Sequence, residues 1–143
     1  MANDDPYDLE RFVAAQDAGG TYQRAAAELR QGRKVSHWMW FVFPQVTGLG
    51  SSPAAVRYAI ASLAEAQAYL AHPVLGPRLL ECAGLLLGQS GRTAEQILGG
   101  IDALKLRSSM SLFARAAPAE PAFREVLEHY FGGRPDPATE QRL

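Results

Sequence analysis

A chain of 143 residues, 48% hydrophobic and 20% charged, has the makeup of one globular domain, long enough to bury a core without disulfides or metal. Fourteen basic residues against fifteen acidic leave a net charge of −1, so no electrostatic footprint for DNA or RNA emerges. One cysteine excludes a disulfide framework or cysteine-based zinc site within the chain, no apolar run approaches a bilayer span, and the acidic start MANDDPYD lacks a secretory pattern, so a cytoplasmic protein without membrane contact is expected.

The predicted elements are helical throughout. Leu9, Phe12, Val13 and Gln16 fall at i, i+3, i+4 and i+7, a first helix ended by Gly19-Gly20. Thr21 opens a second, with Tyr22, Ala25, Ala26 and Leu29 on one face and Gly32 as terminator. Residues 36–43 are apolar on every side. Their aromatics favour strand locally, but a helical neighbourhood offers no pairing partner, so a short buried helix stopped by Pro44 is expected.

After a turn at 47–50, Ser51 or Ser52 followed by Pro53 starts a long helix. Its apolar stripe runs through Val56, Ile60, Leu63 and Leu70; a second stripe carries Tyr58, Ser62, Glu65, Tyr69 and His72. His72-Pro73 breaks the chain before a helix bearing Leu75, Leu79, Cys82, Ala83 and Leu86. Thr93 caps a short helix, residues 101–114 form another with Asp102 near its N-terminus, and Phe123, Val126, Leu127 and Tyr130 mark the last. The expected fold is all-α: a single compact multihelical domain of about seven or eight helices over 1–133, with a flexible Pro-rich tail at 134–143.

The phrases DLERFVAAQ, SHWMWFVFPQVTGLGSS, EAQAYLAHPVLGPRL and IDALKLRSSMSLF together resemble a bacterial family known as a domain of unknown function (number 1810), over about residues 8–131. The resemblance implies a multihelical fold and carries no catalytic residue with it. The calpastatin-like label sometimes given to that family implies disordered inhibitor repeats, which a compact apolar chain does not match. A fainter similarity, in the Glu-plus-aromatic helix and the Asp-Lys pair, is to the helical NADAR enzymes, which act on N-glycosidically linked ADP-ribose.

Four constellations could carry chemistry. The start at Ser51 and Ser52, with Gln45 just before it, offers hydroxyls and helix N–H groups to an anion; its plain alternative is an ordinary capped helix. His37 could be a general base beside a stacking wall of Trp38 and Trp40, or all three could be core. Glu65, flanked by Tyr58 and Tyr69, resembles a general acid/base or a ribose-binding carboxylate; buried, it would otherwise need an ion-pair partner. Asp102 and Lys105 are i,i+3 neighbours, with Ser108 and Ser109 one turn on, so a structural pair or a lysine–serine dyad is possible. The spacing of Glu65, His72 and His37 matches no metal-ligand motif, and no cofactor is expected.

The catalytic expectation is therefore Glu65, His37, Asp102 and Lys105, with Trp38, Trp40, Gln45, Ser51, Ser52, Tyr58 and Tyr69 binding the ligand. The function expected is a small-molecule-binding protein or enzyme for an anionic, phosphorylated or nucleotide-like ligand, ADP-ribose-related molecules included. The alternative is a helical protein–protein interaction module that buries the same residues as structural hydrogen bonds.

Overall fold

Local hydrogen bonding explains where most helices begin and end in the computed structural model, which describes residues 4–143. Helix α1 (Glu10–Asp17) starts where the Asp5 carboxylate accepts the Leu9 and Glu10 N–H groups, at 2.7 and 2.9 Å. Gly19 and Gly20, both at positive φ, turn the chain directly into α2 (Thr21–Gln31), which ends on a left-handed Gly32. Helix α3 (Met39–Val42) is the buried helix expected in the aromatic run, reduced to one turn. Phe43, held before Pro44 at φ −125° and ψ 72°, ends it.

The long helix expected from Pro53 onward is instead two. Ile60 forms a single parallel bridge with Val46: its N–H donates to Gln45 O at 2.8 Å, and its own carbonyl accepts Thr47 N–H at 2.9 Å. An extended residue cannot sit inside a helix, so α4 (Pro53–Arg57) stops and α5 (Leu63–Ala71) restarts at Ser62, whose Oγ accepts Glu65 N–H at 3.1 Å. His72 then caps α6 (Leu75–Leu87), its Nδ1 accepting Val74 and Leu75 N–H at 3.1 and 3.3 Å. A capping box of Thr93 and Gln96 opens α7 (Ala94–Leu98). The chain finishes with α8 (Gly100–Ala116), α9 (Pro121–Phe131) and α10 (Pro137–Glu140). The fold is all-α, with six helices of eight or more residues and four of four or five among those described.

Helix α8 is the central element, packing against α5, α7, α9 and α10. A row of rings crosses the core from α1 to α9: Phe12 to Tyr69 at 5.1 Å, Tyr69 to Phe113 at 5.3 Å, Phe113 to Phe123 at 5.8 Å. All four residues are fully buried.

The flexible tail expected after Gly133 is corrected. Residues 134–143 fold back along α8, where Asp136 and Glu140 find side-chain partners and Arg107 holds the backbone of 134 and 135. Asp136 N–H donates to Ser111 Oγ (2.8 Å), and the Asp136 carboxylate accepts Ser108 Oγ (3.0 Å) while capping α10 through Thr139. Arg107 donates to the Arg134 and Pro135 carbonyls, both at 2.9 Å, and Arg142 reaches Gly48 O at 3.3 Å.

Glu28 organises the approach to the aromatic run. Its carboxylate accepts the Val35 N–H (2.8 Å), the Ser36 N–H (3.0 Å), the Ser36 hydroxyl and the Trp38 indole N–H (2.8 Å). Burial alone would raise its pKa, but these hydrogen bonds outweigh it and hold the group at about 2 against an ordinary 4.5. A depressed carboxyl stabilises the fold above the unfolded pKa and loses that stabilisation as pH falls through the folded one. Glu28→Gln is therefore expected to be less stable than the parent protein by about 2 kcal/mol at neutral pH. Urea denaturation of both proteins should show that gap closing as pH falls from about 4.5 toward 2; a gap independent of pH would contradict the assignment.

Candidate functional site

The turn of α8 that carries Lys105 decides where the chemistry collects. Asp102 lies in the first turn of α8, and its carboxylate takes Lys34 Nζ at 2.9 Å and Lys105 Nζ at 3.4 Å. Lys34 was not anticipated as a partner; it arrives from the loop after α2, far away in sequence. The three form a Lys–Asp–Lys chain with one more positive than negative charge. Lys105 Nζ also stands 4.6 Å above the Trp40 ring, and Lys34 Nζ 5.3 Å from the Trp38 ring.

In front of Lys105 and Trp40 opens a cleft of about 520 Å³. Gln45, Ser51 and Ser52 line it from the segment between α3 and α4, and Ser108 and Asp136 line it from α8 and the start of α10. Ile101 and Leu104, 75% and 64% exposed, stand on its rim. The Trp40 indole N–H and the Gln45 and Ser51 side chains make no hydrogen bond to another described residue, leaving their donors toward solvent. The volume falls within the range of small-molecule sites.

Five of the expected residues thus meet in one place: Trp40, Gln45, Ser51, Ser52 and Lys105, with Asp102 directly behind Lys105. The others do not join them. Trp38 is fully buried, its N–H committed to Glu28. His37 is exposed on the surface and lines no part of the cleft. Tyr69 belongs to the core, its hydroxyl between Gln16 Nε2 (3.2 Å) and Phe41 O (3.4 Å), and burial pushes its pKa up. Tyr58 packs on Phe41 and Phe12, with ring centroids 5.3 and 5.9 Å away.

Glu65 is placed as a structural ion. It is 4% exposed, its Oε2 accepts Arg11 Nη2 at 2.9 Å and its Oε1 accepts Ala61 N–H at 3.0 Å. Arg11 spends its remaining donors on the carbonyls of Tyr7, Asp8, Arg57 (2.8 Å) and Ala59 (2.9 Å), stitching α1 to the α4–α5 junction. The Ser-Leu-Ala-Glu start of α5 was the readable signal for this role, since a Glu three residues after a capping Ser is a helix-start pattern. The Ser51–Ser52 cradle is also reduced: α4 has only five residues, and Ser52 Oγ accepts Ala55 N–H at 3.2 Å. No lysine–serine dyad forms, because Ser108 Oγ is engaged by Leu104 O and Asp136, while Ser109 is fully buried without a partner.

Asp136 was not foreseen. Nothing near it in sequence marks chemistry, and only the fold-back of α10 brings its carboxylate to α8. Cys82 is inert by position: burial pushes its thiol up to about 12. Among the described residues no three His, Cys, Asp or Glu side chains are grouped to hold a metal ion, and no single helix is long and apolar enough to cross a membrane.

A solved relative shares the whole arrangement of helices. The crystal structure of the conserved hypothetical protein Rv1873 from Mycobacterium tuberculosis is 57% identical, covers 97% of this chain and 98% of its own, and superposes with a TM-score of 0.94. No curated protein matches the chain significantly. The family model described as "Protein of unknown function (DUF1810)" matches residues 6–143. The chain belongs to that family.

Proposed function

We propose that the protein binds a small anionic, phosphorylated or nucleotide-like molecule in the cleft between Trp40 and Lys105. The observation that carries this reading is the Lys105 ammonium fixed over the Trp40 ring, beside the uncommitted donors of Trp40, Gln45 and Ser51. A cation held by an aromatic face and a shared carboxylate is pre-organised, so an arriving anion need not order it. Lys105 is the cation that lines the cleft and Asp136 the carboxylate, so the anionic group of the ligand is expected against Lys105. Trp40 adds a flat apolar wall suited to a base or sugar face. A cytoplasmic location is part of the same proposal.

Isothermal titration against nucleoside monophosphates, ADP-ribose, sugar phosphates and inorganic phosphate tests it. At least one is expected to bind the parent protein, and Lys105→Ala to weaken that binding by about tenfold, the loss of one charge-assisted contact. Glu65→Gln, away from the cleft, is expected to bind as the parent does. Silence across the panel would sink the proposal.

A second reading, a helical interaction module, draws on the exposed Ile101 and Leu104 at the rim. It expects no heat from any small molecule, so the same titration separates the two.

A further inference from the structure

Resting on the cleft reading above, we infer that Asp136 is a specificity-determining residue, and that the ligand carries hydroxyl donors as well as its anionic group: a phosphorylated sugar rather than a bare or alkyl phosphate. The argument begins with how the two oxygens of this carboxylate are used. Oδ2 accepts the Ser108 hydroxyl at 3.0 Å, the Thr139 N–H at 3.1 Å and the Thr139 hydroxyl at 2.6 Å. Oδ1 accepts no hydrogen bond from another described residue. The residue is partly exposed and lines the cleft, so a side chain at the cleft wall keeps one oxygen uncommitted.

The carboxylate is also immobile. Its backbone N–H is tied to Ser111 Oγ at 2.8 Å, and α8 holds it through Ser108, one turn from Lys105. An ionised carboxylate accepts hydrogen bonds and donates none. Bonded to Ser108, which stands one helical turn from Lys105, it repels a second anionic oxygen and attracts a donor. The cleft therefore reads two ends of a ligand: an anion against Lys105 and a hydroxyl against Asp136. A ligand that covers this partly exposed oxygen without donating to it removes its water and returns no hydrogen bond, so the site discriminates against such ligands.

Ribose 5-phosphate, ethyl phosphate and inorganic phosphate, titrated calorimetrically into the parent protein and Asp136→Ser, test the assignment. Serine is as good a cap as aspartate, so the variant supplies a capping hydroxyl without the open oxygen. The parent is expected to prefer ribose 5-phosphate to ethyl phosphate by about tenfold or more, and the variant to bind the two within about threefold of each other. Should serine unseat α10, seen as a lowered melting temperature, the preference of the parent protein decides.

Equal binding of the two phosphates by the parent overturns the inference and leaves the cleft reading standing. So does a preference that survives in a normally melting Asp136→Ser, because a sugar hydroxyl could still accept from the NH2 group of an asparagine here, but the serine, with its hydroxyl in the cap, has no second polar atom to offer. An ammonium could also satisfy the open oxygen, so phosphoethanolamine is the fourth probe; if it outbinds ribose 5-phosphate, the hydroxyl class is wrong. Absence of binding by every phosphate overturns both this inference and the reading beneath it.

Discussion

Gly76→Ala is expected to cost on the order of 4 kcal/mol or more, a large share of the about 5–15 kcal/mol by which a domain of this size is stable. A Cβ at this position would stand 2.0 Å from the Leu70 carbonyl oxygen and 2.9 Å from its carbon. Both are backbone atoms at the end of α5, so no side chain can swing aside. The contact exists because α5 and α6 meet at 90° with only three residues between them, and the Gly76 N–H is already tied to His72 O at 3.1 Å. Relief requires the two helices to separate, which would open the packing around buried Leu75 and Leu79. Soluble yield and denaturant unfolding measure the effect. A variant melting within a few degrees of the parent would show that the helix pair can relax, contrary to this account.

Glu65→Ala is expected to destabilise by about 3–5 kcal/mol, the range for removing one partner from a buried ion pair. The Arg11 guanidinium would stay largely enclosed, still bonded to four carbonyls but without a counter-charge. Ala61 would also lose the acceptor for its N–H. A melting temperature lowered by roughly 10 °C or more is the corresponding observable. The effect belongs to stability and not to the cleft: ligand affinity per folded molecule should remain that of the parent. Replacing Arg11 and Glu65 together by apolar residues is expected to recover part of the loss, because no uncompensated charge then remains. If Glu65→Ala left the melting curve in place, the stitching role of Arg11 would be refuted.

Both predictions concern residues whose importance depends on distant partners. Gly76 in sequence is one glycine in a helical pattern; only the angle between α5 and α6 puts the Leu70 carbonyl against it. Glu65 in sequence drew attention as a carboxylate between tyrosines. Its nearest signal, the capping pattern from Ser62, pointed to a structural role, but Arg11 lies 54 residues away and could not be paired with it locally. The long helix expected from Pro53 onward failed for a related reason. Val56, Ile60, Leu63 and Leu70 do fit a helical stripe, yet the bridge from Val46 holds Ile60 extended, and Val56 ends up 64% exposed.

The helical class, the turn at Gly32 and the helix starts at Ser52 and Thr93 were legible in the chain, because capping and backbone chirality act within one turn. The Asp102–Lys105 pair was legible too, being set by helical spacing alone. Convergence was not. Trp38 and Trp40 are two residues apart with similar chemistry, yet one is sealed against Glu28 and the other floors the cleft beneath Lys105. The last ten residues read as a polar tail until α8 supplied partners for them, and Asp136 joined the cleft only through that fold-back. Short-range hydrogen bonding and periodicity are written into neighbouring residues, whereas a cleft is made by side chains that share no local signal and meet only when helices pack.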